Sequence, residues 1–147
     1  MTVRKPIGIA LLFMLGLMSC MNSPDQISND LSDGWAYDEV ITFTVNDPST
    51  GGDGPSLVLD HSPEYNYQNL YLIITVHSNA IAVSDTLDIT LSDNKGLWRG
   101  DCRSAHCLIV FDATTNQVSP SGSYELSIEQ YSRDPILKGI NSIGIHY

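Results

Sequence analysis

Two cysteines beyond the middle of the chain are the residues with the most definite chemistry. Cys102 and Cys107 lie in the segment DCRSAHC and are separated by four residues. In an exported protein, which meets an oxidising compartment, such a pair predicts a local disulfide. His106 stands between them and makes a metal site an alternative, but one cysteine pair with one histidine lacks the paired-ligand spacing of zinc motifs. We therefore expect a disulfide and no bound metal.

The segment DNKGLWRGD, residues 93–101, is a second candidate site, in which Trp98 and Arg99 lie between two glycines and two acids, Asp93 and Asp101. Glycine permits backbone angles that other residues avoid, so a tight turn is expected. One interpretation is a ligand or interaction loop in which Trp98 stacks on a sugar and the acids accept its hydroxyl protons. The other is structural, with Trp98 covering the end of the core, and the residue pattern favours it.

The remaining reactive side chains show no catalytic spacing. Nucleophile-elbow, P-loop, HExxH and EF-hand patterns are all absent from the sequence. Aspartates such as Asp85 and Asp88, with Asp93 and Asp101, offer the oxygen ligands that calcium prefers, but they lack a regular spacing. The four histidines are scattered over different segments: His61, His77, His106 and His146. We expect a protein that is not an enzyme and that needs no cofactor.

A third cysteine, Cys20, directly follows an N-terminal targeting segment. The uncharged stretch from Ile7 to Met18 follows Arg4 and Lys5, and it is shorter than the roughly 20 residues that a membrane-spanning helix needs. This arrangement is typical of a secretory signal. The residues LMSC, 17–20, resemble the bacterial lipobox, in which the cysteine receives a diacylglycerol and the chain is cut directly before it. We therefore predict a lipoprotein signal peptide over residues 1–19 and acyl chains on Cys20, which hold the chain on a membrane.

The charge balance argues against nucleic acid as a partner. The whole chain has seven Lys and Arg, seventeen Asp and Glu and a net charge of -10. Removal of the signal peptide takes away Arg4 and Lys5, which leaves five cations against seventeen acids. Nucleic-acid binding draws most of its affinity from Lys and Arg that neutralise phosphates, and this chain offers few.

The rest of the chain is patterned for β-structure. Residues 20–34 are polar and without an apolar period, which predicts a flexible tether. From residue 35 onward, segments with period-two alternation recur every ten to fifteen residues between turn formers. The predicted strands are Trp35–Val45, Leu57–His61, Asn69–His77, Asp85–Asp93, Cys107–Ala113, Gly122–Ser132 and Ser142–Tyr147. This spacing predicts an all-β fold, a single antiparallel, jelly-roll-like β-sandwich domain over residues 35–147.

Several segments together resemble a known family. After the lipobox, Trp35 begins the fold, and three segments follow in order: YNYQNLYLIITV from Tyr65, DTLDITLSDNKGLWRG from Asp85 and GSYELSIEQYSRDPILKGINSIGI from Gly122. Their order and spacing resemble GldH, the gliding-motility-associated lipoprotein family of Bacteroidetes. The Cys102 and Cys107 pair, with RSAH between, departs from the family pattern.

The resemblance implies a cell-envelope lipoprotein that gliding members need for surface motility driven with the type IX secretion machinery. It implies partners among envelope or gliding-machinery proteins and provides no catalytic residues to transfer. The segment MNSPD after Cys20 lacks an immediate acidic cluster, which favours an outer-membrane location facing the periplasm. The alternative hypothesis is a carbohydrate-binding module on the cell envelope, which rests on Trp35, Trp98 and the many tyrosines.

Overall fold

The computed structural model describes residues 27–46, 55–79, 81–112 and 122–146. These ranges contain eleven strands: β1 (Ile27–Asp30), β2 (Trp35–Ala36), β3 (Val40–Val45), β4 (Ser56–His61), β5 (Asn69–Ser78), β6 (Ile81–Thr90), β7 (Asp101–Arg103), β8 (His106–Asp112), β9 (Tyr124–Gln130), β10 (Ile136–Leu137) and β11 (Ile140–His146). The predicted signal peptide, Cys20 and the loop at residues 114–121 lie outside the described residues. Within the described ranges there is no helix of the length and apolarity that crossing a bilayer requires.

The strands form two main sheets that pack together as a sandwich. The first sheet has the order β1-β11-β4-β8-β7, and the second has the order β3-β9-β5-β6. A small third pair joins β10 to β2, and every pairing is antiparallel. The predicted all-β antiparallel sandwich is therefore confirmed.

Alternation of buried and exposed side chains explains why these segments become strands. In β3, β4 and most of β5, every second residue is buried, because successive side chains of a strand point to opposite faces of its sheet. The inward side chains of both sheets meet in one core, which includes Phe43, Leu59, Leu72, Ile128 and Ile143. Burying this apolar surface is the main force that holds the two sheets face to face.

Several predicted boundaries differ from the structure: β6 begins at Ile81 rather than Asp85, β11 begins at Ile140 rather than Ser142, and β1, β7 and β10 were not predicted. Two of the differences change the outline of the fold. The expected strand Trp35–Val45 is interrupted by a turn at residues 37–38 and becomes β2 and β3. The fold also starts before residue 35, because β1 pairs along its whole length with β11 and the next residue, Leu31, is buried in the core. The expectation of a flexible tether up to residue 34 is thus wrong from Ile27 onward.

The sandwich has two distinct ends. Its proximal end is where β1 begins at Ile27, seven residues after Cys20. We call the opposite end the distal end. Four strands end there, β1, β4, β6 and β9, and four strands begin there, β3, β5, β8 and β11. The connections of the distal end, residues 31–39, 62–68, 91–100 and 131–139, hold one another: Ser62 N–H donates to Gly139 O (2.8 Å) and Tyr37 N–H donates to Pro135 O (2.9 Å).

Replacement of Leu31 tests whether the N-terminal segment belongs to the fold. Leu31 is 3% exposed, so Leu31→Ala should lower the free energy of unfolding by about 2–5 kcal/mol. Leu97→Ala is the matched control, since Leu97 is 66% exposed and should change stability by less than about 0.5 kcal/mol. Urea-induced unfolding of the chain from residue 21 onward measures both. Equal effects of the two substitutions would show that residues 27–34 are not part of the cooperative fold.

Candidate functional site

Residues 93–100 of the predicted ligand loop form a turn at the distal end, and hydrogen bonds within the turn hold its backbone. The Asp93 carboxylate oxygen Oδ1 accepts hydrogen bonds from the backbone N–H groups of Lys95 (2.8 Å) and Leu97 (2.9 Å). The Asp93 N–H donates to Leu97 O at 2.9 Å, and the Gly96 N–H donates to Asp93 O at 3.0 Å. Aspartate side chains commonly stabilise turns in this way. The carboxylate of Asp93 is therefore engaged within its own loop.

Trp98 points inward from this loop and packs against the core. Its indole N–H donates to Pro63 O at 3.2 Å, and its ring meets that of His61 edge to face with centroids 4.8 Å apart. A buried indole normally finds such a partner for its N–H. These contacts match the structural interpretation, in which Trp98 closes the distal end of the core.

The other two residues of the predicted site do not converge with Asp93. The Arg99 backbone N–H donates to Leu91 O at 2.8 Å, while its side chain is on the exposed surface. Asp101 pairs with Arg103 through two hydrogen bonds of 2.9 and 3.1 Å. Both of these side chains are more than half exposed, so the ion pair stabilises the fold by less than about 1 kcal/mol. The four residues are neighbours in sequence but form no common pocket.

Cys102 and Cys107 form a disulfide across the hairpin of β7 and β8. They are directly opposite each other in the strand register, with their Cα atoms 4.0 Å apart. Cys107 is buried while Cys102 is exposed, so the bond ties the short edge strand β7 to the body of the first sheet. No group of three or more His, Cys, Asp or Glu side chains in the described ranges is placed to hold a metal ion.

A polar cluster that the sequence did not predict lies on the outer face of the first sheet. His106 Nδ1 and Asp60 Oδ2 are 2.7 Å apart, and Asn141 Nδ2 donates to Asp60 Oδ1 at 3.2 Å. A histidine held by a carboxylate is part of many hydrolytic sites. The hydrogen bonds of His106 in the described chain join it to Asp60 and Asn141, and neither of these is an activated hydroxyl or thiol. The cluster therefore connects β4, β8 and β11 rather than forming a catalytic set.

His61 is one of the buried polar residues of the distal end, with Ser92 and Gln130. Its Nδ1 lies 3.0 Å from Ser62 O, and since a carbonyl oxygen only accepts, Nδ1 carries the hydrogen. Its Nε2 has no hydrogen-bond partner in the described chain. The ring is enclosed by aromatic neighbours, Trp98 at 4.8 Å and Tyr65 at 6.1 Å between centroids. His61 thus has a packing role in this aromatic cluster.

Tyr65 completes the aromatic cluster under the distal connections. Its hydroxyl donates to Asn69 O at 3.3 Å, and its ring lies 5.6 Å from that of Tyr67. Burial raises the pKa of Tyr65, and the negative charges of Tyr67 and Asp134 raise it further. Tyr67, whose hydroxyl donates to Asp134 Oδ2 at 2.7 Å, also has a raised pKa, chiefly because of this hydrogen bond.

Trp35 cannot serve as the sugar platform that the carbohydrate hypothesis required. It is fully buried, and its indole N–H donates to Glu39 O at 2.9 Å. Among the described residues, the large aromatic side chains that are exposed are tyrosines: Tyr37, Tyr67, Tyr71 and Tyr131.

The fold and these contacts define a small antiparallel β-sandwich that follows a lipobox-like segment. The model of the GldH lipoprotein family matches residues 25–146, so the chain belongs to the GldH lipoprotein family. This confirms the resemblance inferred from the motifs, and it makes the chain an envelope lipoprotein of a family not known for enzymes. No curated protein and no solved structure matches the chain.

Two glycines of the turn allow a matched test of its geometry. Gly96 (φ 79°) and Gly100 (φ 87°) both adopt left-handed angles, but a Cβ on Gly96 would meet open space while one on Gly100 would collide with the Leu108 carbonyl. Gly96→Ala should cost about 1–2 kcal/mol of stability. Gly100→Ala adds overpacking and should cost at least about 3 kcal/mol in total. Equal shifts in urea-unfolding midpoint would contradict this placement of β7 against β8.

The raised pKa of Tyr65 predicts a sensitivity to alkali. In the unfolded chain this phenol loses its proton near its ordinary pKa of 10.0, while the folded chain retains it to higher pH. Unfolding therefore releases a proton above pH 10, and the free energy of unfolding should fall as pH rises. In Tyr65→Phe, the decline between about pH 10 and 11.5 should be shallower than in the wild type. Parallel pH profiles of urea unfolding for the two proteins would refute this explanation.

Proposed function

We propose that Cys20 carries acyl chains and that the sandwich acts without catalysis, through protein contacts, in gliding motility or in envelope assembly linked to the type IX secretion machinery. The observation that carries this proposal is the match to the GldH lipoprotein family over residues 25–146. We further propose that the anchor lies in the outer membrane and faces the periplasm, because MNSPD after Cys20 lacks an acidic cluster.

The described side chains support a role that is not catalytic. Asp93 is bonded within its own turn, Asp101 is paired with Arg103, and Trp98 packs inward. The His106 and Asp60 pair has Asn141 as its third member rather than a nucleophile. Acyl or glycosyl transfer needs a nucleophile or an acid and base around a common substrate position, and these side chains lack that arrangement.

The position of β1 supports a membrane anchor close to the fold. Ile27 already pairs with Ile145, and it follows Cys20 by seven residues. Even a fully extended chain of this length spans no more than about 25 Å. A lipidated Cys20 would therefore hold the proximal end of the sandwich near the bilayer and direct the distal end away from it.

Replacement of Cys20 tests the anchor and the function in one strain set. Wild-type protein purified from its native membrane should have an intact mass that fits cleavage before Cys20 plus acyl chains, and Cys20→Ser should lack the acyl mass. In a gliding host, deletion of the gene should abolish spreading, wild type should restore it, and Cys20→Ser should fail to restore it.

Either readout can contradict the proposal separately. An unlipidated wild-type mass that starts elsewhere would remove the anchor. Unchanged gliding, secretion and envelope integrity in the deletion strain would remove the proposed role. Immunoblotting must show equal amounts of wild type and Cys20→Ser, so that a lost phenotype is not caused by degradation.

A further inference from the structure

Exposed apolar side chains are concentrated at the distal end of the sandwich. Of the ten large hydrophobic side chains that are exposed in the described part of the chain, eight lie in the distal connections or within the first three residues of strands that begin there. These eight are Tyr37, Val40, Tyr67, Tyr71, Leu97, Leu108, Tyr131 and Ile136. The eight do not all share one face, since Leu108 is on the outer face of the first sheet and Tyr71 on that of the second. Exposed apolar side chains that cluster mark interaction sites more often than the rest of a surface.

Four of the eight are tyrosines that lie in or beside one connection, residues 131–135. The Tyr131 backbone N–H donates to Tyr71 O at 2.9 Å, and the Tyr37 N–H donates to Pro135 O at 2.9 Å. The Tyr67 hydroxyl donates to Asp134 Oδ2 at 2.7 Å. We call these four tyrosines with Val40 the tyrosine surface. Each of its tyrosines is between 41% and 51% exposed, so their rings are partly supported by the fold and partly open to a partner.

The sheet register extends this surface onto the outer face of the second sheet. Val40 is opposite Glu129, which is opposite Ile73 on the next strand. Ile73 is partly exposed and lies two residues after Tyr71 on the same strand. Side chains at i and i+2 of a strand share one face, so Val40, Ile73 and Tyr71 lie on the same outer face, with Glu129 between Val40 and Ile73.

Acidic side chains surround the tyrosine surface. Asp38 and Glu39 follow Tyr37, Asp88 is opposite Tyr71 in the register of β5 and β6, and Glu129 is opposite Val40. Asp134 lies beside Tyr67. The connection 131–135 contributes one cation, Arg133. The surface thus combines aromatic and aliphatic side chains with acids, of which Glu129 lies between Val40 and Ile73, and the acids outnumber the one cation of this connection.

We propose that the tyrosine surface is the docking site for a protein partner that presents an apolar patch with a rim of lysines and arginines. Tyrosine and arginine are the residue types that dominate binding energy at protein interfaces, and a charged rim of opposite sign selects the partner and speeds its association. The expectation that this site faces away from the membrane rests on the proposed lipidation of Cys20. A glycan is a weaker candidate, because Val40 and Ile73 add aliphatic area that offers no hydrogen bonds to sugar hydroxyls.

Site-specific photocrosslinking in the native host tests this proposal. p-Benzoylphenylalanine replaces Tyr71 or Tyr131, one at a time, in the full-length chain, and Val110 is the matched control position. Val110 is 63% exposed on the outer face of the other sheet. After illumination of whole cells, adducts are purified and their crosslinked peptides are sequenced by mass spectrometry.

The expected result is one adduct protein from both tyrosine positions, with a crosslinked segment rich in Lys and Arg and a yield at least about tenfold above that at Val110. Asp88→Lys together with Glu129→Lys should reduce this yield about tenfold, because a positive rim repels the same partner. Ile81→Ser, at a 65% exposed position where β6 begins at the proximal end, should leave the yield unchanged. Circular dichroism must show that each variant is folded.

Three results would overturn the proposal: yields at Tyr71 and Tyr131 equal to the control, adducts that are saccharides, or adducts that are a second copy of this chain. Failure of the surface is distinct from failure of the proposed function. If gene deletion abolishes gliding while Tyr71→Ser with Tyr131→Ser restores it fully and no specific adduct forms, the surface is wrong and the function stands. If deletion has no phenotype but the specific adduct forms, the function is wrong and the surface stands.

Discussion

The position of the C-terminal strand between two others is the constraint on which the rest of the sandwich depends. β11 pairs with β1 on one side and with β4 on the other, and its inward side chains Ile140, Ile143 and Ile145 are fully buried. A strand in this position needs partners for its backbone groups on both edges. β1 therefore pairs with the edge of β11 that β4 leaves open, and it is itself the edge strand of this sheet. This pairing brings the first described residues of the fold beside the last ones.

The sequence predicted the strands whose side chains alternate, since alternation is what a half-buried strand needs. It missed β1, because ISND has no apolar period and this edge strand is joined to β11 through its backbone. It also merged β2 and β3. The turn at residues 37–38 preserves the parity of the pattern, so that Trp35 and Ile41 both point inward even though the strand is broken. A count of period two cannot detect such a break.

Local chemistry in the distal connections was predictable, while long-range contacts were not. Glycine and aspartate in residues 93–100 indicated a tight turn, and Asp93 bonds backbone groups two and four residues ahead. The hairpin that places Cys102 opposite Cys107 requires only a short spacing. In contrast, Asp60, His106 and Asn141 come from three different strands, and only the register of the first sheet brings them together. One sequence contains no signal for that register.

The distribution of charge gives the two ends different surroundings. All five lysines and arginines after Cys20 lie in or beside the distal connections: Lys95, Arg99, Arg103, Arg133 and Lys138. Anionic lipids attract such cations within about a Debye length, roughly 8 Å at physiological ionic strength. If Cys20 carries the lipid, however, the short connection to β1 keeps the proximal end nearest to the bilayer, and the strands separate the cations from it. The cations are then not placed for contacts with lipid headgroups. With that anchor, the pairing of β1 with β11 keeps the proximal end beside the membrane, and the exposed distal tyrosines are then open to the partner that we propose.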